Sequence, residues 1–452
     1  MEIVVVGLGK IGSAITEYLV NDGHDLTVVD TQESVIENTI NKLDIQGVVG
    51  NGTLVEILKE AGAETARICI ATTPSDEVNL LICMIAKKLG SRHCIARVRN
   101  PNYSKQHIFM RDELGMSMMI NPEYDAANEI ARILSFPSAM KFETFAKGRF
   151  DIVEIKISEE SKIAGMAIKN IFDDLKTNVV ICAIQHGDEV IIPNGETIIN
   201  AGDKINIAAS HSQMVGFFRK LGILKSKSKN IMIIGGGRIA YHLTRQLVDM
   251  GAKVKIIEKD EKTCLLMSEA FPEATIINGD GTDHDLLVEE GIEDMDACVA
   301  LTGIDEENIV LSMYADIKQV KKIVCKINRL SMVDIFDNVS NASIILPKNI
   351  TADVISRYVR AKENSDGSAV RTLYRLVNGK IEALEFAVNN ETSFTKKPIS
   401  ELELKDNMLM ACIIRGNKTI TPNGKSVIQV HDRVIVITTD KHITNLEDIL
   451  RK

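Results

Sequence analysis

The sequence has little of what a nucleic-acid-binding or membrane-spanning protein needs. It contains no tryptophan, and aromatic residues make up only 4% of its 452 residues, which disfavours a stacking platform for single strands. Its formal net charge is −9, which argues against a general nucleic-acid binder. No apolar run approaches the ~20 residues that span a bilayer, and the first predicted strand begins without a preceding signal peptide. We therefore predict no nucleic-acid partner and no spanning segment.

The eight cysteines show neither a C-x-x-C pair nor the spacing of zinc ligands. Cysteines without those patterns are typical of reduced, buried thiols in a cytosolic protein rather than of disulfides or a metal site. We therefore predict that the thiols fill space in the core and that the chain has no metal site.

The same glycine-rich motif occurs twice in the chain. G-x-G-x-x-G at 7–12 follows an apolar run at 3–6, and a related motif at 235–240 lies 228 residues later. Asp30 and Glu258 follow the two motifs by the expected ~20 residues and are also 228 residues apart. A single motif of this kind is weak, but two copies with their acids predict two dinucleotide-binding units.

The repeat extends well beyond the glycine motifs. The segments 50–53, 76–79 and 193–195 have counterparts at 279–282, 305–308 and 422–424, and Lys326 stands where the first half has Arg97. An ordered set of matches indicates a tandem duplication, so each predicted functional residue has a counterpart with which it can be compared.

Short apolar strands alternate with helices in the first 135 residues. Strands are predicted near 2–6, 26–30, 46–49, 67–72, 92–97 and 117–120. Helices are predicted near 11–22, 33–42, 54–61, 76–89, 101–114 and 123–134. Continuously apolar strands between helices predict a parallel sheet covered on both faces, here a doubly wound Rossmann unit.

The pattern changes after Phe136-Pro137, where a connecting stretch to Gly148 is predicted. From about residue 150, alternating strands and turns predict a small β-rich module, and a polar linker at 224–230 precedes the second copy. The predicted fold class is α/β, with two doubly wound parallel-sheet Rossmann domains, each followed by a small β-rich α+β domain. The predicted domains are 1–135, 145–222, 229–360 and 370–452.

The first glycine motif has the residues that a dinucleotide site requires. Gly7 permits the tight turn, Gly9 lets the backbone approach a pyrophosphate at the helix N-terminus, and Gly12 allows close packing of helix and strand. Asp30 is expected to accept hydrogen bonds from an adenosine ribose. Its charge would repel a 2′-phosphate, so NAD or an adenine nucleotide is favoured over NADP.

Other strand ends add polar side chains to the same predicted crevice: Asn51, Thr72, Thr73 and Arg97. Arg97 is the only cation among them, and a phosphate is its expected partner. Lys10, inside the glycine motif, is expected to reach a further phosphate; the alternative for both cations is a solvated surface charge. The second copy keeps both charges as Arg238 and Lys326.

The second crevice departs from the first at two places. Ala240 replaces the third glycine, a known variant because that position serves packing. Leu301-Thr302-Gly303, compared with Ala71-Thr72-Thr73, also differs, so a different preferred ligand is expected. The predicted contacts of the two crevices are Gly7, Leu8, Gly9, Lys10, Ile11, Gly12, Asp30, Asn51, Thr72, Thr73, Arg97, Gly235, Gly236, Gly237, Arg238, Ile239, Glu258, Asp280, Thr302 and Lys326.

A dehydrogenase would need a proton-transfer group near the reacting carbon. None of the nine histidines has a counterpart in the other half. Tyr314 and Lys318 match the Tyr-x-x-x-Lys of short-chain dehydrogenases, but they fall within a predicted helix and correspond to Ile85 and Leu89. We predict no catalytic residue and a cofactor that is sensed rather than used. An NAD-dependent oxidoreductase is the alternative, and a sensor of another ligand through the β modules is a third hypothesis.

Several motifs closely resemble those of the Trk-type potassium-uptake regulatory subunits, the TrkA family with RCK/KTN domains. They are "VVVGLGKIG" at 4–12, Asp30, "GNGT" at 50–53, "ATTPSDEVNLL" at 71–81 and "ARVRNPNY" at 96–103. A TrkA-C-like module ends each half, so the resemblance covers essentially the whole chain.

The resemblance implies a cytoplasmic protein, peripheral on the inner face of the cell membrane, that docks on an integral-membrane Trk-type potassium transporter. It implies NAD(H) and/or ATP/ADP as regulatory ligands, and helices near 101–114 and 123–134 as crossover elements. It also implies a homo-oligomer of four chains, a ring of eight Rossmann units whose geometry opens or closes the pore. We therefore predict a non-enzymatic regulatory subunit of a potassium-uptake system.

Overall fold

The computed structural model contains two parallel and two antiparallel sheets within the residues that it describes. No helix in this part of the chain has the length and apolar character required to cross a bilayer. The described residues are 1–100, 103, 109, 113–135, 141–145, 150–175, 177–187, 189–222, 228–333, 336, 342–363, 370–377, 380–391, 394–395, 397–416, 418–440, 443 and 445–451.

The first parallel sheet has the strand order β3-β2-β1-β4-β5-β6. Its strands are β1 Glu2–Val6, β2 Asp25–Asp30, β3 Gln46–Val49, β4 Ile68–Ala71, β5 His93–Arg97 and β6 Met118–Ile120. Its helices are α1 Lys10–Asn21, α2 Glu33–Ile40, α3 Val55–Glu60, α4 Asp76–Leu89 and α5 Pro122–Ser135. The order reverses between β1 and β4, which confirms the predicted doubly wound unit. Most of the helix predicted near 101–114 lies outside the described residues.

The first small domain is built on a five-stranded antiparallel sheet with the order β10-β9-β11-β8-β7. Its strands are β7 Lys141–Phe145, β8 Phe150–Lys156, β9 Val180–His186, β10 Glu189–Ile191 and β11 Lys204–Ala209. Its helices are α6 Ile168–Leu175 and α7 His211–Leu221. The prediction of a plain connection between Phe136 and Gly148 was wrong, because 141–145 pairs with β8 as an antiparallel edge strand. Its partner is β8, the next strand of the chain.

The second parallel sheet repeats the first, in the order β14-β13-β12-β15-β16-β17. Its strands are β12 Asn230–Ile234, β13 Lys253–Glu258, β14 Thr275–Asn278, β15 Ala297–Ala300, β16 Lys322–Lys326 and β17 Ser343–Ile345. Its α-helices are α8 Arg238–Asp249, α9 Glu261–Ala270, α10 His284–Glu289, α11 Asp305–Ile317 and α12 Pro347–Glu363, with short 3₁₀ helices at Ile292–Asp294 and Leu330–Met332.

The second small domain repeats the antiparallel topology in the order β18-β19-β22-β20-β21. Its strands are β18 Val370–Leu376, β19 Ile381–Ala387, β20 Met408–Arg415, β21 Lys418–Ile420 and β22 Arg433–Thr438, with 3₁₀ helices at Ile399–Glu401 and Leu446–Ile449. The two small sheets share one apolar core, in which Ile152 and Cys182 of the first meet Ile414 and Ile435 of the second. All eight cysteines are buried, as predicted for thiols of the core.

The two Rossmann units exchange one helix each. Ala127 and Ile130 of α5 belong to the apolar core of the second unit, and Ile355 and Val359 of α12 belong to the core of the first. Each exchanged helix therefore closes the sheet of the other half. Because α5 and α12 begin where the sixth strands end, the carboxyl ends of both sheets face a common region between the halves.

The exchanged helix α5 contains a carboxyl group with a perturbed pKa. Burial raises the pKa of Asp125 to about 6, with Arg357 and Arg132 lowering it in part and the charge of Glu123 adding to the rise. An unfolded Asp has a pKa of about 3.9. Between about pH 4 and pH 6 the folded state therefore binds more protons than the unfolded state, and this group lowers the free energy of unfolding as the pH rises.

Asp125→Asn is accordingly expected to raise the free energy of unfolding at pH 7.5 by about 1 to 3 kcal/mol, because it removes a partly buried carboxylate that is ionised there. At pH 4.5 the variant and the wild type are expected to differ much less. Urea unfolding at the two pH values measures both differences. A variant that is destabilised equally at pH 4.5 and pH 7.5 would contradict the expectation.

Candidate functional site

The first glycine motif forms a tight turn held by the carboxylate of Asp30. Gly7 has a φ of +92°, and a Cβ atom there would lie 2.8 Å from the backbone nitrogen of Thr73, so glycine is required on both counts. The backbone N–H of Leu8 donates to Asp30 Oδ2 at 2.7 Å, and that of Gln32 donates to Oδ1 at 3.0 Å. Asp30 therefore sits at the mouth of the motif, at the end of β2, as a ribose-binding carboxylate would.

The N-terminus of α1 is open toward the same side. Gly9 is its N-cap and offers no side chain to the first backbone amides, and a Cβ there would meet no atom within 4 Å. The equivalent Gly237 of α8 has the same two properties. Free amides at a helix N-terminus, together with the helix dipole, favour an anion such as a phosphate.

Gly12 and Thr72 hold the glycine turn from below. A Cβ on Gly12 would lie 1.9 Å from the carbonyl oxygen of Gly7. The Thr72 hydroxyl donates to that same oxygen at 2.7 Å. Thr72 therefore has a structural role beneath the turn, in addition to lining the crevice above it.

An asparagine in each half connects the ends of the fourth and fifth strands. Asn79 accepts from the backbone N–H of Thr73 at 2.7 Å and donates to the carbonyl of Arg97 at 3.0 Å. Asn308 makes the equivalent bonds to Thr302, at 2.8 Å, and to Lys326, at 3.0 Å. The comparison of Thr302 with Thr72 was therefore wrong by one residue: Thr302 corresponds to Thr73, because both are held by the same asparagine.

A cavity of about 1010 Å³ lies between the two Rossmann units at the carboxyl ends of their strands. Both halves line it, since the strand ends and helix N-termini converge there. The predicted contacts that line the cavity are Gly7, Leu8, Gly9, Lys10, Ile11, Asp30, Asn51, Thr72, Thr73, Arg97, Gly237, Arg238, Ile239 and Lys326.

The other predicted contacts lie outside the lining of this cavity: Gly12, Gly235, Gly236, Glu258, Asp280 and Thr302. Glu258 nevertheless makes the same hydrogen bonds as Asp30, since its carboxylate accepts from the backbone N–H of Gly236 at 2.6 Å and from that of Asp260 at 2.8 Å. Asp280 accepts from the N–H of Thr282 at 2.9 Å and so forms a turn. The structure therefore centres the cavity on the first crevice, with the glycine-motif edge of the second half as its opposite wall.

The cavity is rich in positive charge although the chain is acidic. Burial lowers the pKa of Arg97, with Glu123 opposing this shift and the charge of Arg238 adding to it. Burial also lowers the pKa of Lys326, and the charge of Lys10 adds to that shift. The cation of each glycine motif and the strand-end cation of the other half therefore line one cavity and repel each other. A bound polyanion would relieve the repulsion within both pairs.

Seven charged or polar lining residues were not predicted from the sequence: Thr31, Gln32, Ser75, Arg99, Glu123, Asn328 and Lys348. The side chain of Asp76 holds the loop after β5, since it accepts from the backbone N–H of Arg99 at 2.8 Å. The repeated D-E-x-N pattern at 76–79 could have indicated this role. Glu123 and Lys348 each follow the proline that begins an exchanged helix, and no local motif marks them.

The Tyr-x-x-x-Lys pattern lies away from the cavity. Tyr314 stacks on His284 with ring centroids 4.0 Å apart, and Lys318 pairs with Glu293 at 2.6 Å. Neither residue lines the described cavity, so the pattern has the packing and surface roles of ordinary helix residues.

Comparison with known families matches the TrkA-N domain twice, at residues 3–122 and 231–347, and the TrkA-C domain twice, at 152–222 and 383–451. The chain belongs to the TrkA family. A Trk system potassium uptake protein TrkA homolog of Archaeoglobus fulgidus is 30% identical over 452 residues, the full length of both chains. The Trk system potassium uptake protein TrkA of Haemophilus influenzae is 28% identical and spans 98% of this chain and 96% of its own.

Two solved structures have the same fold over most of the length of this chain. The GsuK RCK domain matches 97% of this chain and 92% of its own, with a TM-score of 0.64 at 18% identity. The GsuK channel bound to NAD has a TM-score of 0.64 at 18% identity and matches 97% of this chain and 77% of its own. These likenesses confirm the predicted fold class of duplicated Rossmann and small antiparallel domains.

Proposed function

We propose that this chain is a regulatory, non-enzymatic subunit that senses nucleotides and gates an integral-membrane Trk-type potassium transporter from the cytoplasmic face of the membrane. The observation that carries the proposal is the cationic cavity between the two Rossmann units, which both glycine motifs line. A ligand placed there touches both halves of the chain. Its binding is therefore coupled to their relative position.

The regulatory ligand is an adenine nucleotide, NAD(H) or ATP/ADP. Asp30 supports a ribose, the open N-terminus of α1 supports a phosphate, and the cations Lys10, Arg97 and Arg238 support a second or third phosphate. Two GsuK structures are described as bound to NAD and to ADP. The fold shared with them supports the same ligand classes here.

The coupling between ligand and shape follows from charge. Lys10 and Lys326, and likewise Arg238 and Arg97, come from opposite halves and line one cavity, where the like charges of each pair repel. A phosphate between them stabilises the arrangement in which the halves are close. A ligand shifts such an equilibrium only by its differential affinity for the two arrangements, and the exchanged helices transmit the rotation of one unit to the other.

Nucleotide binding is expected to raise the melting temperature. A ligand that binds only the folded state adds about 2.7 kcal/mol at one hundred times its Kd. Thermal unfolding with NAD, NADH, ATP and ADP measures this, and no shift with any of the four would refute the proposed function.

Asp30→Ala is expected to weaken binding by roughly 1 to 3 kcal/mol, with Glu258→Ala as the matched variant. If only Glu258→Ala abolishes binding, the main site lies in the second half.

The chain is also expected to assemble into a closed homo-oligomer, which we propose to be a tetramer. Leu81 and Met84 on α4 are exposed, and so are their counterparts Val310 and Met313 on α11. Two equivalent apolar faces suit the repeated contacts of a ring. Light scattering is expected to show an assembly of four chains of 49.8 kDa each. Val310→Asp is expected to reduce the mass of the assembly, because it places a charge on the apolar face. A strict monomer at micromolar concentration, with and without nucleotide, would contradict the ring.

A further inference from the structure

A histidine of the first Rossmann unit contacts the C-terminal half of the exchanged helix α12. His93, the first residue of β5, has its ring centroid 6.1 Å from that of Tyr358, with the two ring planes at 84°. The hydroxyl oxygen of Tyr358 lies 3.4 Å from His93 Nδ1, and that of Ser117, before β6, lies 3.3 Å from the same nitrogen. A neutral imidazole can accept from one of these hydroxyls through Nδ1, whereas a protonated one is a donor only. The contact therefore suits the neutral form.

An arginine holds the last turn of α12 beside this histidine. The backbone N–H of His93 donates to the carbonyl oxygen of Arg67, the residue before β4, at 3.0 Å. The guanidinium of Arg67 in turn donates to the carbonyl oxygen of Lys362 at 2.5 Å. The ammonium of Lys362 lies 5.4 Å from the centre of the Tyr358 ring. The docked end of α12 therefore brings one cation toward the imidazole and is held there by another.

Two further cations lie on the other side of His93. Lys87 of α4 donates to the carbonyl oxygen of Arg92, the residue before β5, at 2.7 Å. Burial lowers the pKa of His93, and the charges of four cations add to this shift: Lys362, Lys87, Arg67 and Arg92. A proton on His93 is therefore opposed from α12, from α4 and from the residues before β4 and β5.

The sign of the pH dependence follows from this shift. An unperturbed histidine has a pKa of about 6.5, and the pKa of His93 in the folded chain is lower. The favourable contact is therefore complete above about pH 6.5 and is lost as the pH falls through the pKa of the folded state. Acid then places a charge among like charges, and the end of α12 is the part of this cluster that belongs to the other half of the chain.

The second half is built differently at the equivalent position. Lys322 stands where the first half has His93, and Asp296 stands where it has Arg67. Asp296 accepts from Lys321 Nζ at 3.3 Å. A carboxylate therefore neutralises a cation there, whereas the first half collects cations around an imidazole.

We propose that His93 is a proton-sensitive contact whose protonation releases the C-terminal end of α12 from the first Rossmann unit. Helix α12 begins at the cavity, which Pro347 and Lys348 line. Near its other end, Arg360 lies 3.9 Å from Glu382 of the second small domain. A change in the docking of α12 therefore acts on both the cavity and that domain. This inference goes beyond the proposed nucleotide sensing, because it adds a response to acid.

Hydrogen–deuterium exchange of the full chain tests the proposal, with peptides from the C-terminal half of α12 as the readout. His93→Gln keeps a polar acceptor but takes up no proton in this range. At pH 7.5 the wild type and the variant are expected to exchange alike. At pH 5.5 these peptides are expected to exchange about threefold to tenfold faster in the wild type, because one extra bound proton shifts an opening equilibrium by up to tenfold per pH unit. Comparing the two chains at one pH cancels the intrinsic exchange rate.

The other exchanged helix supplies a matched control. His242 of α8 meets Tyr124 of α5 with ring centroids 5.5 Å apart and ring planes at 84°. Burial lowers the pKa of His242, but the charge of Glu123 opposes this shift. His242→Gln is therefore expected to leave the exchange of α12 at pH 5.5 as in the wild type. Lys87→Gln removes one of the four cations and is expected to reduce the acid effect on α12.

Three outcomes would overturn the inference. One is equal exchange of the wild type and His93→Gln at both pH values, since any rise that they share belongs to other groups such as Lys322 and Asp125, whose pKa values are also shifted. Another is faster exchange in His93→Gln at both pH values, which would make His93 a packing residue. If His93→Gln misfolds, an unchanged acid effect in Lys87→Gln is the third. None of these measurements needs a nucleotide, so a failure of the proposed function would be seen separately.

Discussion

Gly12→Ala is expected to weaken nucleotide binding at the first crevice by at least about 100-fold, although the counterpart of Gly12 is Ala240. A Cβ at position 12 would lie 1.9 Å from the carbonyl oxygen of Gly7 and 2.7 Å from the hydroxyl oxygen of Thr72. Since both neighbours belong to the glycine turn and its support, the turn has to move. A displaced turn no longer presents its amides to a phosphate, an interaction on which anion binding at a helix N-terminus depends. Equilibrium titration with the tightest-binding nucleotide measures the loss.

The repeat supplies the control for this prediction. Ala240→Gly adds no atom, and in the second half Leu301 occupies the place of Thr72, so the turn there has a different support. We expect Ala240→Gly to change nucleotide affinity less than about threefold, the scale of a glycine's extra backbone freedom in a helix. Full affinity in Gly12→Ala, with a melting temperature like that of the wild type, would show that the turn tolerates the methyl group.

Arg360→Met is expected to lower the free energy of unfolding by about 3 to 5 kcal/mol. Asp22, which directly follows α1, has a side chain with no exposed surface, and Arg360 of α12 donates to it at 2.9 Å. Removing the arginine takes a countercharge away from a buried carboxylate, which is more destabilising than the loss of a surface pair. Urea unfolding monitored by circular dichroism measures the change.

The matched control is an arginine on the other exchanged helix. Arg132 of α5 pairs with Glu129 at 3.7 Å, with the arginine half exposed, so Arg132→Met is expected to cost about 0 to 1 kcal/mol. Asp22→Asn combined with Arg360→Met is expected to recover part of the loss, because the carboxylate of Asp22 is then removed together with its arginine. Equal destabilisation by the two arginine variants would mean that the pair with Asp22 contributes no more than a surface contact.

This ion pair also distinguishes the two halves. Arg360 lies 3.9 Å from Glu382 of the second small domain, so the C-terminus of α1 is connected through α12 to that domain. In the second half Met250, which is 48% exposed, follows α8 at the position of Asp22. The duplication therefore preserved the helix exchange in both directions but kept this charged connection in one.

Local sequence pattern determined most of the fold. Every strand predicted in the first Rossmann unit lies within one residue of the observed strand, because continuous apolar runs between glycine turns define buried parallel strands. The glycine motifs and their acids could also be predicted from the sequence. The turn with positive φ at Gly7 and the carboxylate at the end of β2 are encoded within about 25 residues. Because the chain is duplicated, each predicted functional residue could also be compared with its counterpart in the other half.

Only the tertiary structure decided how the two halves meet. The exchange of α5 and α12 and the place of Glu123 and Lys348 in one cavity depend on partners far away in the chain. Periodicity records which face of an element is apolar, but not which element covers it. The sequence by itself determined two nucleotide-binding folds, whereas long-range packing made their strand ends into one shared cavity.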